Sequence, residues 1–134
     1  MDLAVKAGAR LGETGGAVWV NEYMETSVPN VYAAGDVAET WSLITGKRMY
    51  VALAPPANKM GGQVAGANAV KGRFLKFPGV LGTAVTKVFN LYVARTGLTE
   101  KQAREEGGLS LCLLQLGPGP RPITTQVVYR STLR

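Results

Sequence analysis

The chain has 134 residues, 46% of them hydrophobic and 18% charged, which suits one ordinary domain or two small ones with a buried core and argues against disorder. It has no histidine and one cysteine, Cys112, which excludes His-based nucleophile pairs and general bases, His-ligated metals, an internal disulfide, a CxxC pair and a Cys-rich zinc site. The net charge of +6 is scattered, with Lys47-Arg48 and residues 71–76 its densest groups, so it reads as solvated surface or a site for a phosphorylated ligand more than as a nucleic-acid face.

Residues 1–16 form a short lead-in ending at Gly15-Gly16. Ala17-Val18-Trp19-Val20 predicts a strand, Asn21–Met24 a turn, and Val28-Pro29-Asn30 a second turn. Val31–Ala34 predicts a short strand buried on both sides, stopped by Gly35-Asp36. Residues 40–53 look irregular, anchored by Trp41 and Tyr50. Prolines 55 and 56 can launch a helix, and Lys59–Val70 predicts its body. Asn58, Gly61, Gly62, Ala65, Gly66 and Ala69 recur there at spacings of three and four, giving a face almost without side chains. Glycine costs about 1 kcal/mol per helical site, so close approach by a backbone or a ligand is the expected compensation.

Lys71–Pro78 is a basic connector and the best domain boundary. Gly82–Thr96 predicts a strand or a bent pair of strands. Thr99-Glu100-Lys101-Gln102 has the capping-box pattern, and Gly107-Gly108 ends the helix it opens. Leu109–Leu116 and Ile123–Tyr129 are strand candidates, separated by the breaker at residues 117–122. Cys112 lies in an apolar run that suits a buried, quiet thiol. No stretch approaches the ~18 apolar residues of a membrane helix, and Met1-Asp2 opens no signal pattern, so the expected setting is the cytoplasm.

The segment that carries chemistry runs from Thr26 to Asp36. A small-residue strand delivers a carboxylate at its carboxyl end, where open α/β sheets bind ligands. Ala33, Ala34 and Gly35 leave room for a flat group, and Asp36 can accept hydrogen bonds from sugar or polyol hydroxyls. The helix that follows offers a positive dipole and unpaired N–H groups at its start. Gly-Asp alone is an ordinary strand-to-turn junction.

Followed by Leu53-Ala54-Pro55-Pro56-Ala57-Asn58-Lys59-Met60-Gly61, the string resembles the second flavin fingerprint of the pyridine nucleotide-disulfide oxidoreductases. Residues 77–89 and Ala94–Glu100 resemble the start of the dimerisation domain in the coenzyme A-disulfide reductase and NADH oxidase subgroup. The resemblance implies an α/β fold: residues 1–76 as the C-terminal part of a Rossmann-like FAD-binding domain, and 77–134 as part of an α+β dimerisation domain. It implies FAD as cofactor, NAD(P)H as co-substrate, and a disulfide, peroxide or oxygen as acceptor. A homodimer is expected, with neither nucleic acid nor membrane as partner. Asp36 would bind a ribityl hydroxyl, with Gly35 permitting its approach beside Tyr32 and Ala34. Ala54 and the helix start would donate N–H groups to the flavin pyrimidine edge and stabilise negative charge near N1. Asn58 stands near a position that contacts coenzyme A. No catalytic residue and no metal ligand is expected within the chain. It departs from the family in having no GxGxxG and no redox-active cysteine, and Gly108–Arg134 reads as a divergent or frameshifted end.

Overall fold

Helix α1 (Asp2–Lys6) opens on an acidic residue and closes on a basic one, the order the helix dipole favours. The computed structural model describes residues 2–106, 109–110, 115–118 and 129–130, in two units, Met1–Val80 and Leu81–Arg134. Beyond α1 the first unit is tied by isolated pairings: Leu11 with Val18, Val18 with Ala38, Glu25 with Tyr32, and Ser42 with Val80. Ala17–Val20, expected as a strand, therefore pairs through Val18 alone. Each neighbour reaches it through one two-bond bridge: Val18 N–H donates to Val37 O (2.7 Å) and Val18 O accepts from Glu39 N–H (2.9 Å), while Trp19 N–H donates to Arg10 O (2.9 Å) and Ala17 O accepts from Gly12 N–H (2.6 Å).

Val31–Ala34 also differs from expectation. The left-handed Asn30 (φ +62°) folds it back on residues 24–26, where Thr26 N–H donates to Val31 O and Ala33 N–H to Met24 O. The segment is thus one arm of a small hairpin, half-buried throughout rather than buried on both faces. Residues 40–53, expected as irregular, contain the short antiparallel pair β1 (Thr40–Trp41) and β2 (Arg48–Met49), in register Thr40 with Met49 and Trp41 with Arg48.

A single helical run follows: α2 (Ala54–Asn58), a π-helical segment (Lys59–Ala65) and α3 (Gly66–Lys71). Gly66 N–H reaches back to Gly61 O, five residues away, which is the π register. Met60, Val64 and Ala65 pack against Val20, Met24, Ala38, Phe77 and Val80 to form the core. Each large side chain buried this way contributes about 1.5–3 kcal/mol. Trp41 meets Phe77 edge-on at 6.0 Å and donates its indole N–H to Pro78 O.

The helix is bolted down by Asn68, which is 1% exposed. Its Nδ2 donates to Tyr23 O (3.0 Å) and Leu75 O (2.7 Å), while Oδ1 accepts from Phe74 N–H (2.9 Å) and Leu75 N–H (2.8 Å). Outside it, Glu25 pairs with Arg73 at 3.0 Å and takes a hydrogen bond from Asn21, and Lys76 pairs with Glu22 at 2.7 Å. The Arg73 guanidinium, then Asn21, hold the Glu25 carboxyl below its ordinary value.

In the second unit β3 (Ala84–Val88) and β4 (Leu91–Arg95) form an antiparallel hairpin, joined on the far side of β4 by β6 (Gln115–Pro118). Gly117 and Pro118, read as breakers, close this edge strand, where proline costs no shared ladder bond. Helix α4 (Glu100–Glu105) starts on the capping box as expected: Thr99 Oγ1 accepts from Gln102 N–H, and the Gln102 side chain accepts from Thr99 N–H. β5 (Leu109–Ser110) pairs with β7 (Tyr129–Arg130). The expectations for Gly107-Gly108, Cys112, residues 119–122 and residues 123–128 lie outside the described residues.

Two outcomes follow from the polar fastenings. Asn68→Ala strands two N–H and two C=O groups and should cost roughly 3 kcal/mol or more, read as a fall in the urea midpoint at constant slope. Glu25 has a depressed folded pKa, so its pairing stabilises the fold above the unfolded carboxyl pKa and is lost as pH falls through the folded one. From about pH 5 down to 3, wild type should therefore lose more stability than Glu25→Gln; parallel pH profiles would exclude the pairing as a contributor.

Candidate functional site

Ala34 is extended (φ −152°), and the next residue, Gly35, turns left-handed (φ +73°) into a single 3₁₀ turn, Gly35–Val37. A Cβ at Gly35 would stand 3.3 Å from Ala57 Cβ, so glycine is what lets the turn sit on α2. Ala38 N–H closes the turn on Gly35 O at 3.0 Å. Asp36 lies at its outer edge, exposed, and among the described residues its carboxylate makes no ion pair or hydrogen bond. It is free to accept from a ligand.

The helix start is open in a narrower way than expected. Leu53 caps it without a side-chain hydrogen bond, and Ala57 N–H is already given to Leu53 O at 3.1 Å. Pro55 and Pro56 have no N–H to give, so Ala54 carries the free donor of the first turn. Ala54 and Asn58 are both exposed, at the two ends of α2. The small-residue face is only partly used for packing. A Cβ at Gly61 would stand 3.9 Å from Ala34 Cβ and Ala65 is buried, whereas a Cβ at Gly62 would meet nothing within 4 Å.

Tyr32 stands apart from the others. Its ring packs against the core and its hydroxyl donates to Asn68 O at 3.2 Å. The structure thus brings Ala34, Gly35 and Asp36 onto the α2 helix that carries Ala54 and Asn58, and turns the Tyr32 hydroxyl toward α3. Two residues that sequence reading missed support this arrangement: Asn68, buried on α3, and Glu39, fully buried just past the turn. Neither has a local sequence signal, because an ordinary polar residue becomes a fastening only through its tertiary partners. Among the described residues, no group of three or more His, Cys, Asp or Glu could hold a metal, and no helix is long and apolar enough to cross a membrane.

Replacing Gly35 with alanine forces a side chain into a left-handed position and against Ala57, at about 1–2 kcal/mol for the backbone alone. A lowered calorimetric melting temperature is expected, and an unchanged one would show that the turn is free to rearrange.

Residues 1–61 match the family model described as pyridine nucleotide-disulphide oxidoreductase. The chain is 60% identical over 107 residues to the NAD(P)H coenzyme A polysulfide/persulfide reductase of Pyrococcus horikoshii, covering 80% of this chain and 23% of that relative. It resembles the solved NAD-dependent persulfide reductase from A. fulgidus, with 46% identity and a TM-score of 0.74 over 82% of this chain and 20% of the other. A solved FAD-dependent pyridine nucleotide-disulphide oxidoreductase from Desulfovibrio vulgaris gives 36% identity and a TM-score of 0.71 over 81% and 27%. The chain spans less than a quarter of the Pyrococcus relative's length. Residues 1–61 are thus similar to the pyridine nucleotide-disulphide oxidoreductases, and the chain carries a piece of the α/β fold that these relatives share.

Proposed function

We propose that this chain supplies part of the FAD site of an NAD(P)H-dependent flavoprotein oxidoreductase. What carries the reading is the exposed, unpaired Asp36 carboxylate on a glycine turn packed against the helix that opens at Ala54. The residues present fit the group. Asp36 would accept from the ribityl chain, and Ala34 and Gly35 present little beyond backbone to it. Ala54 N–H, with the helix dipole behind it, would meet the electron-rich pyrimidine edge. Tyr32 would act through its hold on the helix, and Asn58, exposed on α2, would face the substrate side. Bound FAD supplies the electron transfer between NAD(P)H and the acceptor, while the protein positions and tunes it.

The acceptor is proposed to be a sulfur compound of the coenzyme A disulfide or persulfide class, on the strength of the similarity to reductases named for that chemistry. Oxygen or peroxide is the alternative. Residues 1–76 would belong to the FAD-binding domain and 77–134 to a dimerisation domain of a cytoplasmic homodimer. A second reading, a module without activity of its own, is favoured by the lack of a GxGxxG and of a redox-active cysteine in this sequence.

Titrating the chain with FAD and following flavin fluorescence tests the site. Weak, saturable binding is expected, reduced by Asp36→Ala by about 1.5–3 kcal/mol, or roughly 10–150-fold. Equal affinity in both proteins would remove Asp36 from the site. NADH consumption by the flavin-loaded chain separates the two readings: none is expected of the module.

A further inference from the structure

We infer that Glu39 is a positioning residue for the Gly35–Val37 turn and so for Asp36, an inference that rests on the reading of Asp36 as a flavin contact only for its functional meaning. Glu39 is 0% exposed. Its Oε1 accepts three hydrogen bonds, from Glu13 N–H (3.0 Å), Thr14 N–H (2.9 Å) and Thr14 Oγ1 (2.8 Å). Its Oε2 is buried with no partner. The carboxylate lies so close to Gly12 that a Cβ there would overlap it.

Burying a carboxylate with one oxygen unmatched costs stability, and an apolar side chain would avoid that cost only by leaving the Glu13 and Thr14 donors without an acceptor. What the carboxylate does that an apolar group cannot is grip a particular loop. Residues 12–17 are closed on themselves by Gly12 N–H to Ala17 O (2.6 Å) and Ala17 N–H to Thr14 O (3.3 Å). Val18, immediately after, takes Glu39 N–H on its O (2.9 Å) and gives its own N–H to Val37 O (2.7 Å). The exit of the Asp36 turn is therefore pinned twice to the same segment, by Val18 through the backbone and by the Glu39 carboxylate.

The turn needs this support. Asp36 and Val37 are exposed, and the internal hydrogen bond of the turn is the one from Ala38 N–H to Gly35 O. Its entry is fixed by Gly35 against Ala57. Glu39 fixes its exit.

Amide hydrogen exchange on the full chain tests this without any ligand. Glu39→Ala should speed exchange at Thr14 and at Ala38 by roughly tenfold or more, the scale of losing hydrogen bonds to a charged group. Phe74 and Leu75 amides, held by Asn68, should stay protected. Glu39→Gln keeps an oxygen for the same three donors and should restore protection at Ala38, which a general loss of packing would not. If Glu39→Ala does not fold, Thr14→Val, which removes one donor, should raise Ala38 exchange by a smaller factor. Faster exchange at Thr14 with Ala38 unchanged would overturn the inference, since the carboxylate would then hold the loop and leave the turn alone. Asp36→Ala in the flavin titration judges the site assignment separately.

Discussion

The amide of Asn68 is the point from which both halves of the candidate site hang. Its four hydrogen bonds fix α3 to the 74–75 backbone on one side and to Tyr23 on the other. The backbone carbonyl of the same residue accepts from the Tyr32 hydroxyl, and Tyr32 belongs to the segment that ends in Gly35-Asp36. One residue thus sets the seat of the helix that opens at Ala54 and the path of the chain that delivers Asp36. A fully satisfied buried amide is well suited to this, because any shift of either partner leaves a group without its hydrogen bond.

Apolar packing alone would not hold the site so closely. Met60, Val64 and Ala65 contact the core through side chains that can slide by a few tenths of an ångström at little cost. Within the candidate site, Gly35 sits so near Ala57 that an added Cβ would stand 3.3 Å from Ala57 Cβ. The hydrophobic core supplies most of the free energy, and the polar fastenings supply the register.

What the sequence revealed was local, and what it concealed was relational. The Thr99 capping box was legible because its partners lie three residues apart and the interaction stays within one turn. The Gly35-Asp36 junction was legible as a motif, and the small-residue helix after Pro55-Pro56 as a pattern. The π register of Lys59–Ala65 was not, since glycines at 61, 62 and 66 permit both hydrogen-bond spacings and no apolar period separates them. Ala17–Val20 has the composition of a strand, yet each neighbour reaches it through a single bridge, so composition overstated the pairing. The count of N–H donors at the helix start could have been read from Pro55 and Pro56 directly.

Asn68 and Glu39 show two ways to bury a polar group, and the difference bears on what each is for. Every polar atom of the Asn68 amide has a partner, so the residue offsets its desolvation and the fold is more stable for having it. Glu39 leaves Oε2 without one, so its three good bonds work against a standing cost. An apolar replacement beside Gly12 would remove that cost but strand the Glu13 N–H, the Thr14 N–H and the Thr14 hydroxyl, so what the carboxylate provides is its hold on the loop. On the proposed role of Asp36, precise placement of the chain just past it is a benefit that compensates. A carboxylate that must meet a ligand hydroxyl at hydrogen-bond distance loses much of its value if its turn wanders by an ångström.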